Sequence, residues 1–114
     1  MNARTHVVAL DATQAKHFCT RLWLELTIAG RAIGNDETLD AAAQLNALTW
    51  LNEIQHRVCG AYTSAHPDAM AHLLDRIASH CEQAPALQLP VRVALDRALT
   101  ATAGTDVTPR GADA

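Results

Sequence analysis

The chain has 114 residues and a net charge of −3; apolar residues make up 49% of it and aromatic residues only 4%. That length is one ordinary domain, and its core must be built from Leu, Ile, Val and Ala. Nine cationic and twelve acidic residues in no block give no footprint for nucleic acid or for a polybasic membrane patch, and no apolar run approaches the ~20 residues of a membrane span.

Alanine and leucine are abundant while Gly and Pro are few, which favours helices over strands. Residues 1–10 show no helical period and read as an N-terminal arm. Asp11 has the look of an N-cap, with Gln14 three residues on completing a capping box. From Ala12 to Ile33 apolar residues recur at helical spacing at Ala15, Phe18, Cys19, Leu22, Leu26, Ala29 and Ile33. Gly34 and Asn35 then stop the helix.

A second helix is predicted to start within Asp36–Asp40 and to run to about Tyr62. Leu48, Leu51, Val58 and Tyr62 form its main stripe, with Leu45 and Ile54 on the shoulders. Pro67 opens a third helix, whose stripe is Met70, Leu73, Leu74, Ile77 and Cys81 and which ends near Glu82 before Pro85. His72 and His80 fall on its polar side with Arg76 between them. Pro90 opens a short fourth helix with Val91, Ala94, Leu95, Ala98 and Leu99 on one side. Residues 102–114 are small and polar and read as a disordered tail. The expected architecture over residues 11–101 is an all-α, antiparallel bundle of two long and two shorter helices, since short connections favour antiparallel neighbours.

Cys19, Cys59 and Cys81 are odd in number and widely spaced, without a CxxC pair. They read as small buried hydrophobes in a reducing, cytoplasmic setting, not as a disulfide framework or zinc site. No apolar h-region of a signal peptide is visible at the N-terminus.

Two segments carry functional expectations. The first is Leu51–Gly60. His56 lies on the flank of the apolar stripe towards the polar side, and Gly60 sits one turn further on. A glycine inside a helix costs about 1 kcal/mol relative to alanine, and close approach of another helix or chain is the usual compensation. The pairing of His56 with Gly60 resembles the His-x-x-Lys-Gly pattern of histidine phosphotransfer domains. The run His56-Arg57-Val58 is likewise similar to the His-Arg-Val-Lys-Asn box of one histidine-kinase dimerisation family. The resemblance implies a phosphoacceptor role for His56, with Arg57 as the cation that stabilises phosphoryl oxygens. Fewer than ten residues carry it, Cys59 replaces the Lys of both patterns, and no ATP-binding domain accompanies it.

Glu53-x-x-His56 also has the spacing of carboxylate-bridged di-metal bundles, but such sites need two of these elements and two further Glu, and Glu25 is the one other mid-helix Glu. No metal and no cofactor is expected. No Gly-x-Ser-x-Gly elbow and no Gly-rich phosphate loop occurs.

The second segment is the first predicted helix. Leu24 and Ile28 sit one turn apart, nearly opposite its main stripe, with Trp23 on a flank and His17, Arg21 and Arg31 as a charged border. A helix apolar on two faces is either central in its bundle or in contact with a second chain. Trp50, among Ala43, Ala47, Ile54 and Ala61, reads either as core or as a second interface anchor. The function expected from these features is a non-enzymatic helical interaction module, an adaptor, inhibitor or regulatory subunit that binds another protein and itself. Phosphotransfer through His56 is the alternative.

Overall fold

The computed structural model describes residues 3–111, and the side chains of residues 5–103. Among them there are five α-helices and no strand: α1 (Ala3–Val8), α2 (Ala12–Gly34), α3 (Ala41–Ser64), α4 (Pro67–Gln83) and α5 (Gln88–Gly111), with a 3-10 turn at Pro85–Leu87 before α5. The all-α bundle expected from composition is what forms. No helix among the described residues is long and apolar enough to cross a membrane.

α2 begins where the sequence places it. The Asp11 carboxylate accepts from the Gln14 N–H at 2.8 Å, and the Gln14 side chain accepts from the Asp11 N–H at 3.0 Å, so two orphan donors are satisfied reciprocally. All seven stripe residues of α2 are buried, joined by Glu25. α2 packs on both α3 and α5 and is the central helix of the bundle.

The 36–40 segment is a turn, not a first helical turn. The Asp36 carboxylate accepts from both the N–H and the hydroxyl of Thr38, which holds its pKa below the ordinary carboxylate value. Asp40 is the true N-cap of α3, accepting from the Ala43 N–H at 2.7 Å. The Gln44 amide donates to the carbonyls of Ile33 at 3.1 Å and Asp36 at 3.0 Å, closing the end of α2 against the start of α3. Further along, the Gln55 amide reaches the Trp23 carbonyl at 3.2 Å and the Thr27 hydroxyl at 3.0 Å. These partners ascend α3 while descending α2, so the two helices are antiparallel. The α3–α4 pair is antiparallel by the same test: Asn46 donates to the Gln83 carbonyl and Trp50 meets His80.

Other expectations are corrected. Residues 3–8, read as an arm, form α1, which packs on α4 and α5 and has Val7 fully buried. The buried stripe of α3 is Ala47, Leu51, Ile54, Val58 and Ala61, while Leu45 and Tyr62 are exposed. The stripe is rotated toward two alanines, Ala47 and Ala61, rather than toward Leu45 and Tyr62. α5 is not short. It starts at Gln88, tolerates Pro90 in a first turn whose N–H groups have no intrahelical acceptor, and continues to Gly111. The tail expected from residue 102 is therefore helical as far as Gly111, and residues 112–114 lie outside the described residues. Thr102 is buried, its hydroxyl donating to the Ala98 carbonyl at 2.8 Å.

Candidate functional site

The central position of α2 does not hide its second apolar face. Trp23, Leu24 and Ile28 are 41%, 48% and 58% exposed, and Tyr62 of α3 is 45% exposed beside them. Trp23, Leu24 and Tyr62, with Val58, Cys59 and Cys19, line a groove of about 420 Å³ between α2 and α3. Its lining contains no charged residue. Ile28 extends this face by one helical turn, because residues four apart stack on one side of a helix. The Lys16 ammonium lies 5.5 Å from the centre of the Tyr62 ring, a cation over an aromatic face at one end of the groove.

Charge borders the face as the sequence suggests. Leu24 also lines a second groove, between α2 and α5, with His17, Thr20, Arg21 and Thr102, so it is the ridge between two depressions. Arg21 is held in place: its Nε donates to the Glu25 carboxylate at 3.1 Å, with the Glu25 side chain almost fully buried and Arg21 half-exposed. That buried carboxylate fixes a cation at the rim. Arg31 is exposed three residues beyond Ile28.

The thiols divide by position. Cys19 is buried at the floor of the α2–α3 groove, and desolvation, with a smaller effect from Cys59, pushes its pKa up to about 11. Cys81 is partly buried, and burial raises its pKa too. Cys59 is exposed at the groove rim, a correction to the expectation that all three thiols are buried.

Trp50 is not part of this face. It is half-buried at the α3–α4 seam, packed against the core and stacked on His80. His80 is corrected from polar face to interior: it is 6% exposed, and neither ring nitrogen has a hydrogen-bond partner. Burial lowers its pKa, the Glu53 carboxylate partly opposes this, and Arg57 and Arg76 reinforce it.

Gly60, read from sequence as a point of close approach, is exposed, and a methyl group there would meet no heavy atom within 4 Å outside its own turn. The close approach is at Gly30 of α2, where a Cβ would stand 3.1 Å from the Leu51 Cδ2 of α3. Gly60 instead opens a groove of about 290 Å³ between α3 and α4, lined by His56, Arg57 and Ser64 from α3 and by His72, Leu73 and Arg76 from α4. Arg57 Nε meets the Glu53 carboxylate at 3.2 Å. His56 and Arg57 are thus brought together with His72 and Arg76 from the polar side of α4. The signal that could have found this is the tight connection at residues 65–66: an antiparallel hairpin there sets residues 57–60 opposite 69–76.

Neither a protein-family model, nor a curated protein, nor a solved structure matches the chain. Among the described residues, no group of three or more His, Cys, Asp or Glu side chains could hold a metal ion.

Proposed function

We propose that the protein is a non-enzymatic helical interaction module that works through the exposed apolar face of α2, and that a second copy of the chain is one occupant of that face. The observation supporting this is the clustering of Trp23, Leu24, Ile28 and Tyr62 at 41–58% exposure around an uncharged groove. Scattered surface hydrophobes are ordinary, but a contiguous apolar patch with a charged rim is how interaction sites commonly look. A two-fold pairing sets the same patch of each copy face to face, apolar centre on apolar centre. Leu24 and Ile28 are already about half-buried, so covering the rest contributes about 1 kcal/mol each before association costs are subtracted. The test is sedimentation equilibrium at micromolar concentration on the wild type and on Leu24→Asp/Ile28→Asp. The wild type is expected to associate and the double variant to be a folded monomer, since neither side chain belongs to the core. A strictly monomeric wild type sinks self-association, and an unfolded double variant sinks the assignment of this face to the surface.

A second reading, phosphotransfer through His56, is supported by one observation: His56 is exposed in a groove with Arg57 and Arg76 and is unobstructed at Gly60. In that step an imidazole nitrogen attacks the phosphorus of acetyl phosphate and acetate leaves. The interaction reading expects no acid-labile label. Reproducible labelling lost in His56→Gln, and kept in His72→Gln and His80→Gln, would exchange the two readings.

A further inference from the structure

We propose that the α3–α4 groove reversibly binds a small phosphate monoester. Four nitrogen-bearing side chains converge there from two antiparallel helices, His56 and Arg57 on one wall and His72 and Arg76 on the other, with the Ser64 hydroxyl at one end. In a chain whose net charge is −3, the lining of this groove contains no carboxylate. Glu53, one turn before Arg57 and joined to its Nε, is not in the lining, so it orients that guanidinium without entering the groove. The floor is apolar, from Ala61 and Leu73, both buried.

The donor set selects the ligand class. Guanidinium presents planar paired donors that match phosphate oxygens, and charge-assisted bonds of this kind are the strong ones. A carboxylate has two oxygens and is satisfied by one arginine. Two arginines and two imidazoles facing each other suit a dianion with three peripheral oxygens. The volume, about 290 Å³, lies at the small end of ligand sites, which suits a phosphate with a short organic body and is too small to enclose a nucleotide. Gly60 supplies the opening: any side chain there stands in the mouth of the groove.

Binding is independent of the phosphotransfer reading, because it forms no covalent bond and survives the failure of His56 to be labelled. The experiment titrates the full chain, followed by amide and imidazole NMR shifts at constant ionic strength, with phenyl phosphate, a phosphoserine peptide, inorganic phosphate and acetate. Saturable shifts confined to the groove are expected with the phosphate monoesters, weaker shifts with inorganic phosphate, and none with acetate. The first two probes separate a small-molecule source from a protein-borne one; a peptide that binds while phenyl phosphate does not overturns the small-molecule assignment. Arg76→Gln should weaken binding about tenfold, the loss of one charge-assisted hydrogen bond, while Arg21→Gln at the α2–α5 groove should not. Gly60→Leu keeps every charge and fills the groove, and it should abolish binding in a folded protein. Equal binding of acetate, or unchanged binding in Gly60→Leu, would show diffuse attraction to surface charge and overturn the proposal.

Discussion

The rings of Trp50 and His80 stack with centroids 4.8 Å apart and planes 24° from parallel, joining α3 to α4 through an imidazole that makes no hydrogen bond. An unpartnered buried imidazole is tolerated only while neutral, and this sets a pH dependence. Its folded pKa lies below the unfolded value, because burial disfavours the cation. Protons therefore bind the unfolded chain more readily. The neutral ring's contribution is complete above the unfolded value of about 6.5 and is lost as pH falls below it. The urea midpoint should drop between about pH 7 and about pH 5, the range in which histidine changes charge. In His80→Phe, which keeps the stack without the titration, the drop should be smaller. Equal drops would show that His80 contributes nothing to acid sensitivity. In a Trp23→Phe background, Trp50 fluorescence should follow the same transition.

Gly30 and Gly60 should respond differently to alanine. At Gly60 the new methyl group meets open space, so the helix-propensity gain of up to about 1 kcal/mol is realised in full. At Gly30 it meets the end of the Leu51 side chain at 3.1 Å, and Leu51 must move in a packed interior, which offsets or reverses the gain. Thermal denaturation of the two single variants decides this. A larger rise in Tm for Gly30→Ala than for Gly60→Ala would contradict the packing described for the α2–α3 seam.

Thiol reactivity should be ordered by depth. Under native conditions Cys59 should react first with a thiol-disulfide reagent, Cys81 more slowly, and Cys19 only on unfolding, since burial holds its pKa at about 11. Mass mapping of the labelled protein reads the order. If the α2 face is covered by a second copy, labelling of Cys59 should also slow as protein concentration rises.

Ala65, which follows α3, has φ 48° and ψ 40°, the left-handed conformation that glycine adopts most easily. Its N–H donates to the Ala61 carbonyl at 2.7 Å, so the conformation closes the helix end. Ala65→Gly should relieve about 1 kcal/mol of the left-handed penalty, less the contact its methyl group makes with the core. A fall in Tm would show that this contact outweighs the strain.

Much of the bundle was legible because its signals are local. The Asp11–Gln14 box and the stripe from Ala15 to Ile33 lie within one helix, and each residue of that stripe is buried. What escaped depends on partners distant in sequence. Ala47 and Ala61 carry little hydrophobic contrast, so the pattern of α3 points to Leu48 and Tyr62 beside Leu51 and Val58, and only the last two are buried. His80 looks polar in sequence and is interior, stacked on Trp50. Thr102 is buried because its hydroxyl is satisfied within its own helix. For the candidate site, the outward face of Leu24 and Ile28 follows from helical period alone. The groove shared by Tyr62, Cys59 and Cys19 required the register of α3 on α2, which Gln44 and Gln55 set through carbonyls no pattern reveals.

α1 packs on α4 and α5, so Val7, fully enclosed in the bundle, meets helices that begin about sixty and about eighty residues further along the chain. The α2–α3 hairpin closes over about ten residues at Gln44. The chain entropy lost on closing a loop grows with its length. Docking α1 is therefore the costlier closure of the two, and the enclosure of Val7 depends on it.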